Sequence, residues 1–324
     1  MRAPRREAAV LAVLAALVAV TALRAPNFLD ADNLRPLSRQ AALLVVPAVG
    51  QALVILTCGI DLSIGSLLAL LSVATGYAMA GGTTGRSETP TLLCALVPLL
   101  LALGIGLAHA LLVARMRIPP FVATLATFCA ARSLAEVLSE ATPITIEGRE
   151  GFRDLSNAVV AGLPVPVWIA GAVVLAADAL LRRTALGRRF YAVGGSAEAA
   201  RLAGVPVTST LAAAYALCAL LVALTALLTT ARLGQGDPTV GKFLELNAIA
   251  SAVIGGCALS GGTGSALGAA IGAVTIAVLS NALILLEVSP LWHQFAIGMV
   301  LLAAVLLDAL ARRVRKTGPL GARG

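Results

Sequence analysis

The chain has 324 residues, of which 59% are hydrophobic and only 12% charged, far more apolar side chain than a soluble globular domain carries. No mixed-charge stretch long enough for a soluble catalytic domain occurs anywhere in it, which leaves a polytopic membrane protein, since about 20 helical residues cover a hydrocarbon core of about 30 Å. The net charge of +8 is expected to mark which loops stay in the cytoplasm and not to bind nucleic acid.

Apolar runs occur near 8–23, 41–57, 62–80, 91–114, 119–138, 163–181, 208–230, 246–259, 264–286 and 291–311. They predict an all-α membrane fold of about ten transmembrane helices, forming one transmembrane domain over 1–324. Arg2, Arg5 and Arg6 precede the first run without a small-x-small cleavage site behind it, so that run reads as a retained helix. With the N-terminus inside, fifteen basic residues fall on the cytoplasmic side and eight on the other, with Arg132 within a segment. This bias, carried mostly by the 182–207 loop and the 312–324 tail, puts both termini in the cytoplasm. The run SGGTGS, from Ser260 to Ser265, is too glycine-rich for an ordinary helix. The 246–286 stretch is therefore two crossings or a re-entrant pair, and a single long helix would expel the basic tail. Segments two to five and seven to ten could form an inverted repeat. A weak echo between GIDLSIGSLLAL near 59 and SGGTGSALGAAIGA near 260 points the same way.

Several positions stand out inside these runs. Asp61 is an intramembrane carboxylate, which is costly unless it faces water, a partner or free helix amides. Two readings stay open: it caps the helix starting near Leu62 through the amides of Ser63 or Ile64, or it lines a pathway at a broken helix. Ser63, Asn247 and Asn281 join it as candidate pathway or gate residues. Arg132 and Glu136, one turn apart, are expected to pair as a structural ion pair, as are Asp178 with Arg182 and Asp308 with Arg312. Gly264, Gly268 and Gly272 recur every four residues and predict a helix face along which another backbone approaches. Cys58, Cys94, Cys129, Cys218 and Cys257 are widely spaced and read as small buried side chains; His109 and His293 have no second ligand at metal spacing. No metal site and no catalytic residue is expected. GDPTVGK, from Gly236 to Lys242, imitates a phosphate loop but continues with Phe243 where Ser or Thr is required, and is expected to lie outside. The 184–207 loop can form a short helix capped by Ser196, with Glu198 in its first turn, stopped by Gly204 and Pro206. It would present a docking surface to a soluble partner, or only fix topology and touch lipid.

The motifs ILTCGIDLSIGS (55–66), IPPFVATLATFCAARSL (118–134), LGRRFYAVGGSAEAARLAGV (186–205) and LELNAIASAVIGGCALSGGTGSALGAAIGA (244–273) together resemble the permease subunits of bacterial ABC sugar importers, those for ribose, xylose and arabinose. The resemblance covers about 41–310. It implies a permease that translocates a pentose or hexose without covalent chemistry or a cofactor of its own. ATP and Mg would be bound by partner ATPase subunits. It implies a second permease subunit and a periplasmic or lipid-anchored solute-binding protein, with Glu198, Ala199, Arg201, Leu202 and Gly204 on the ATPase-docking coupling helix. Cys58, Asn247, Cys257 and Ala258 depart from the family's usual residues, which leaves the solute open. The alternatives are an ion-coupled secondary transporter, with Asp61 as the coupling acid, and an ABC permease for a branched-chain amino acid or a nucleoside.

Overall fold

The computed structural model describes residues 3–81 and 89–300, together with 302, 303 and 306. Within them the chain is helical: α1 (Ala3–Arg24), α2 (Ala31–Leu56), α3 (Ile64–Ala80), α4 (Thr91–Ala110), α5 (Pro120–Leu138), α6 (Glu150–Asn157), α7 (Val165–Arg183), α8 (Ala185–Gly195), α9 (Ala197–Leu202), α10 (Val207–Leu233), α11 (Leu244–Ile254) and α12 (Ala266–Leu285). Residues 293–300 are also helical. Seven helices among the described residues are long and apolar enough to cross a membrane, and α3 and α11 are shorter apolar helices of 17 and 11 residues. The pair Asp308 and Arg312 and the basic tail lie outside the described residues.

Burial does not follow from how apolar a helix is, because a lipid-facing surface is as apolar as a core: α4 is as apolar as α10, and α7 as α2. The windows of α2 and α10 are 83% and 61% buried, whereas those of α4, α5 and α7 are 22% buried and turn most of their surface outward. The core therefore centres on α2, α3, α10, α11 and α12, with Leu56, Leu67, Tyr215, Val222 and Ile276 at its heart.

The long helix, irregular return and short helix occur twice. α2 ends at Leu56, residues 57–63 are irregular, and α3 follows; α10 ends at Leu233, residues 234–243 are largely turns, and α11 follows. The break before α11, and not SGGTGS, is thus the counterpart of the one before α3. α11 and α12 are separate helices joined by the turn 255–265, so no single long helix spans 246–286. At eleven residues α11 is only about 16 Å long, half of the hydrocarbon core.

Two features of the connections differ from the sequence reading. The polar stretch 139–162 contains α6, and the strand pair Ile144–Thr145 with Gln235–Gly236 ties it to the second interruption. The 184–207 connection holds α8 as well as α9; Thr184 caps α8 by accepting from the Gly187 N–H at 3.1 Å.

Candidate solute pathway and docking face

The first interruption begins with a helix stop. The Gly59 N–H donates to Val54 C=O at 3.1 Å and the Cys58 N–H to Ile55 C=O at 2.9 Å, with Cys58 left-handed at φ 64°, a position that usually takes glycine. The chain then turns back beside α2. The Gln51 amide, oriented by its surroundings, donates to the Asp61 carbonyl and accepts from the Asp61 N–H, both at 3.3 Å. Gln51 precedes Leu56 by five residues, so Asp61 lies about 7 Å inside the end of α2. Its side chain is 1% exposed. Asp61 Oδ1 accepts from the Ser63 N–H at 2.8 Å and from Ser63 Oγ at 2.6 Å; Oδ2 lies 3.9 Å from His109 Nδ1. His109 Nε2 bonds Thr127 Oγ1 at 2.8 Å, and Thr124 Oγ1 donates to Ile60 C=O at 3.2 Å. Among the described residues the carboxylate thus takes its hydrogen bonds from Ser63 alone, while α4 and α5 hold the surrounding backbone and the T-shaped His109–Tyr215 ring pair beside it. That is how burial of an acid at this depth is tolerated.

The second interruption is not an outside loop, as the phosphate-loop imitation was expected to be. Gly236 packs on Gly76 and on the Ser72 carbonyl, and Gly241 packs on the Gly65 carbonyl. The segment thus runs back along α3 between positions about 16 Å apart on that helix. Arg132 holds it there. Its Nη1 donates to Pro238 C=O at 2.7 Å and to Val240 C=O at 3.0 Å, and its Nη2 reaches Gly65 C=O at 3.4 Å. The expected pair with Glu136 does not form: Glu136 is exposed, and the guanidinium is turned to the carbonyls of the second interruption, which lipid could not satisfy. Where the second interruption meets the start of α3, Gly65 faces Gly241 and the carboxylate of Glu245, which is 7% exposed. Glu245 escaped the sequence reading because it sits one residue before the run; its cue was the LELN spacing to Asn247.

Asn247, one residue pair further on, lines a cavity of about 300 Å³ between α2, α10, α11 and α12, with Gln40, Thr225, Thr229, Lys242 and Ser280. Asn247 Oδ1 has no protein partner. Larger hollows among the described residues include one of about 970 Å³ beside α6, an almost wholly apolar groove of about 820 Å³ between α2, α7 and α12, and an apolar one of about 340 Å³ between α3, α4 and α5. Asn281 is not brought to the 300 Å³ cavity. It exchanges hydrogen bonds with Asn33 at the start of α2, at 2.8 and 3.1 Å. Asp61 and Ser63 do not line the cavity either.

Gly268 and Gly272 lie on α12 against the carbonyls of Gly255 and Ser251, so their face is covered by α11 and its following turn. Gly264 is not part of that helix face. It precedes the Ser265 cap with φ 148°, because Ser265 Oγ accepts from the Gly268 N–H at 2.9 Å and starts α12 there. Ser265 Oγ also donates to Glu7 at 2.7 Å. Arg182 pairs with Asp178 at 2.8 Å, at the expected spacing, and with Glu7 at 3.8 Å. Cys94, Cys218 and Cys257 are buried, but Cys58 and Cys129 are exposed: the helix stop turns one outward and the thinly covered α5 the other.

On the face that carries the 184–206 connection, Ser196 Oγ accepts from the Ala199 N–H at 3.2 Å and starts α9. Gly204 takes φ 79° and ends the turn. Glu198, Ala199, Arg201 and Gly204 are exposed, Leu202 is 80% exposed, and Ala200 alone of 196–204 is buried.

The chain matches the family model described as "Branched-chain amino acid transport system / permease component" over residues 33–305. It belongs to that permease family. The permease is 39% identical to the ribose import permease protein of Escherichia coli K12 over 92% of each chain. It is 38% identical to that of Bacillus subtilis over 90% of this chain and 89% of the relative. The xylose transport system permease protein of E. coli K12 is 31% identical over 93% and 91%. No solved structure matches it. The permease is therefore a multi-pass inner-membrane transport component and not an enzyme.

Proposed function

We propose that this chain, as one transmembrane permease domain, carries a monosaccharide, a pentose before a hexose, across the inner membrane as the permease subunit of an ATP-binding-cassette importer. What carries the reading is that ribose import permeases from distant bacteria match about nine tenths of the chain at 37–39% identity. The cavity supports it: about 300 Å³ stands at the small end of ligand pockets, and its lining, amides and hydroxyls from Gln40, Thr225, Thr229, Asn247 and Ser280 together with the cations Arg232 and Lys242, offers the hydrogen-bonding groups that a polyhydroxylated solute needs. Asn247 meets that solute, while Asp61 and Ser63 hold the first interruption in shape and Asn281 ties α12 to α2. Solute passes without covalent change, so a site that binds weakly from both sides is sufficient.

The permease pairs with a second permease subunit, receives solute from a binding protein, and needs no cofactor of its own; ATP and Mg belong to a partner ATPase. The ATPase docks on α9 through Glu198, Ala199, Arg201, Leu202 and Gly204, which places that face and both termini in the cytoplasm. Docking can bias a two-state equilibrium only through contacts that differ between the states. The test is purification from native membranes in mild detergent with partners identified by mass spectrometry, and uptake of labelled D-ribose in the same cells. A stoichiometric ATPase that is lost in Glu198→Arg with Gly204→Arg is expected. A wild-type permease that comes alone, under conditions that keep a known ABC complex together, overturns the ATP-driven reading.

A further inference from the structure

Behind α9 three stretches of backbone meet with no side chain between them. A Cβ on Gly194 would fall on the Leu56 carbonyl and within 2.6 Å of the Gly262 nitrogen. A Cβ on Gly261 would come within 2.6 Å of the Gly194 oxygen and 2.8 Å of Cys58 Cβ. Hydrogen bonds fasten the same junction. The Gly262 N–H donates to Leu56 C=O at 3.0 Å, and Tyr191 Oη, on α8, donates to Gly264 C=O at 2.9 Å. Burial raises the Tyr191 phenol above its usual value, so the hydroxyl keeps its proton and stays a donor.

The connectivity gives this contact its meaning. Gly194 stands two residues before the cap of α9. Leu56 and Cys58 begin the interruption that leads to Asp61 and α3, and 255–265 is the turn on which α11 ends. The one segment that carries the docking helix therefore touches the first interruption and the turn between α11 and α12 at once. Backbones in direct contact have no flexible side chain between them to absorb a displacement. We propose that this junction converts movement of α9 into movement of the first interruption and of the 255–265 turn, with Gly194 as a positioning residue and Tyr191 as its fastening to that turn. The proposal rests on α9 being the ATPase-docking helix.

The experiment is hydrogen exchange on the whole complex purified from native membranes, with and without ATP plus vanadate. In wild type the trapped nucleotide changes exchange in α9 and also in 56–63 and 255–265. Gly194→Ala is expected to keep the ATPase bound and the change in α9, while both remote changes shrink about threefold or more. Tyr191→Phe, which removes one hydroxyl and adds no atom, shrinks the change in 255–265 alone. Gly195→Ala, with open space around its Cβ position, behaves as wild type. Remote changes of wild-type size in both Gly194→Ala and Tyr191→Phe overturn the junction while leaving α9 docking intact. So does an equal loss in Gly195→Ala. A wild-type preparation without ATPase removes the docking reading and this proposal with it.

Discussion

Arg132→Met tests whether one guanidinium keeps the second interruption folded inside the membrane. The side chain makes two short bonds to carbonyls, 2.7 Å to Pro238 and 3.0 Å to Val240, and a long one of 3.4 Å to Gly65. A hydrogen bond to a charged group contributes about 1.5–3 kcal/mol, and a buried acceptor left unpaired costs about 1–3 kcal/mol. The two short bonds alone therefore give about 3–6 kcal/mol, and partial relaxation of the segment brings the expected loss to about 3 kcal/mol. That is about a 150-fold shift in the folded-to-unfolded ratio. Titration of the purified permease with sodium dodecyl sulfate in mixed micelles, followed by near-ultraviolet circular dichroism, measures it. Glu136→Gln, at an exposed position, is expected to stay within about 0.5 kcal/mol of wild type. Equal losses in the two variants, with a double variant no worse than either, would mean that Arg132 and Glu136 act as a pair and would refute the assignment of the guanidinium to the carbonyls.

Cys58→Gly relieves a left-handed residue at φ 64° and is expected to stabilise the same transition by about 1 kcal/mol; a lower midpoint contradicts it. Gly272→Ala drives a methyl into the Ser251 carbonyl and should cost about 1–3 kcal/mol, whereas Gly171→Ala, which meets nothing within 4 Å, should be silent in the same titration. Asp61→Asn keeps an acceptor for the Ser63 amide and hydroxyl, so labelled ribose uptake should stay within about threefold of wild type, while Asp61→Ala should lose about 1–2 kcal/mol of stability. Abolition of uptake by Asp61→Asn in a fully folded protein would point instead to an ion-coupled carboxylate. Ser196→Ala removes the cap of α9, an effect of about 1 kcal/mol on that helix, and should lower the ATPase recovered with the permease about fivefold; undiminished recovery argues against α9 as the docking element.

Much of this architecture was legible because the membrane imposes it. The apolar runs gave the helices, and the caps at Ser196 and the stop at Gly204 gave α9. What the sequence could not display were partners far apart along it. Arg132 has Glu136 one turn away, so local spacing suggested that pair, but its acceptors are carbonyls more than a hundred residues later. The glycine recurrence at 264, 268 and 272 suggested one face, but the Ser265 cap starts the helix after the first of them. Asn247 was singled out and lines the cavity, whereas Glu245 and the Gln51 bonds to the Asp61 backbone became visible only once the two interruptions were seen to lie against α3 and α2.

The shortness of α11 also constrains how the chain is built. Eleven residues, about 16 Å of helix, are too few for the translocon to release as an independent span, and the irregular stretch before them bares carbonyls that lipid cannot satisfy. Those carbonyls find their donor on α5 and their packing partner on α3, both made earlier by the ribosome. Integration should therefore be sequential, the N-terminal half acting as a template on which 234–254 is laid down. A nascent chain arrested just past residue 300 should hold this segment protease-resistant only if Arg132 is present.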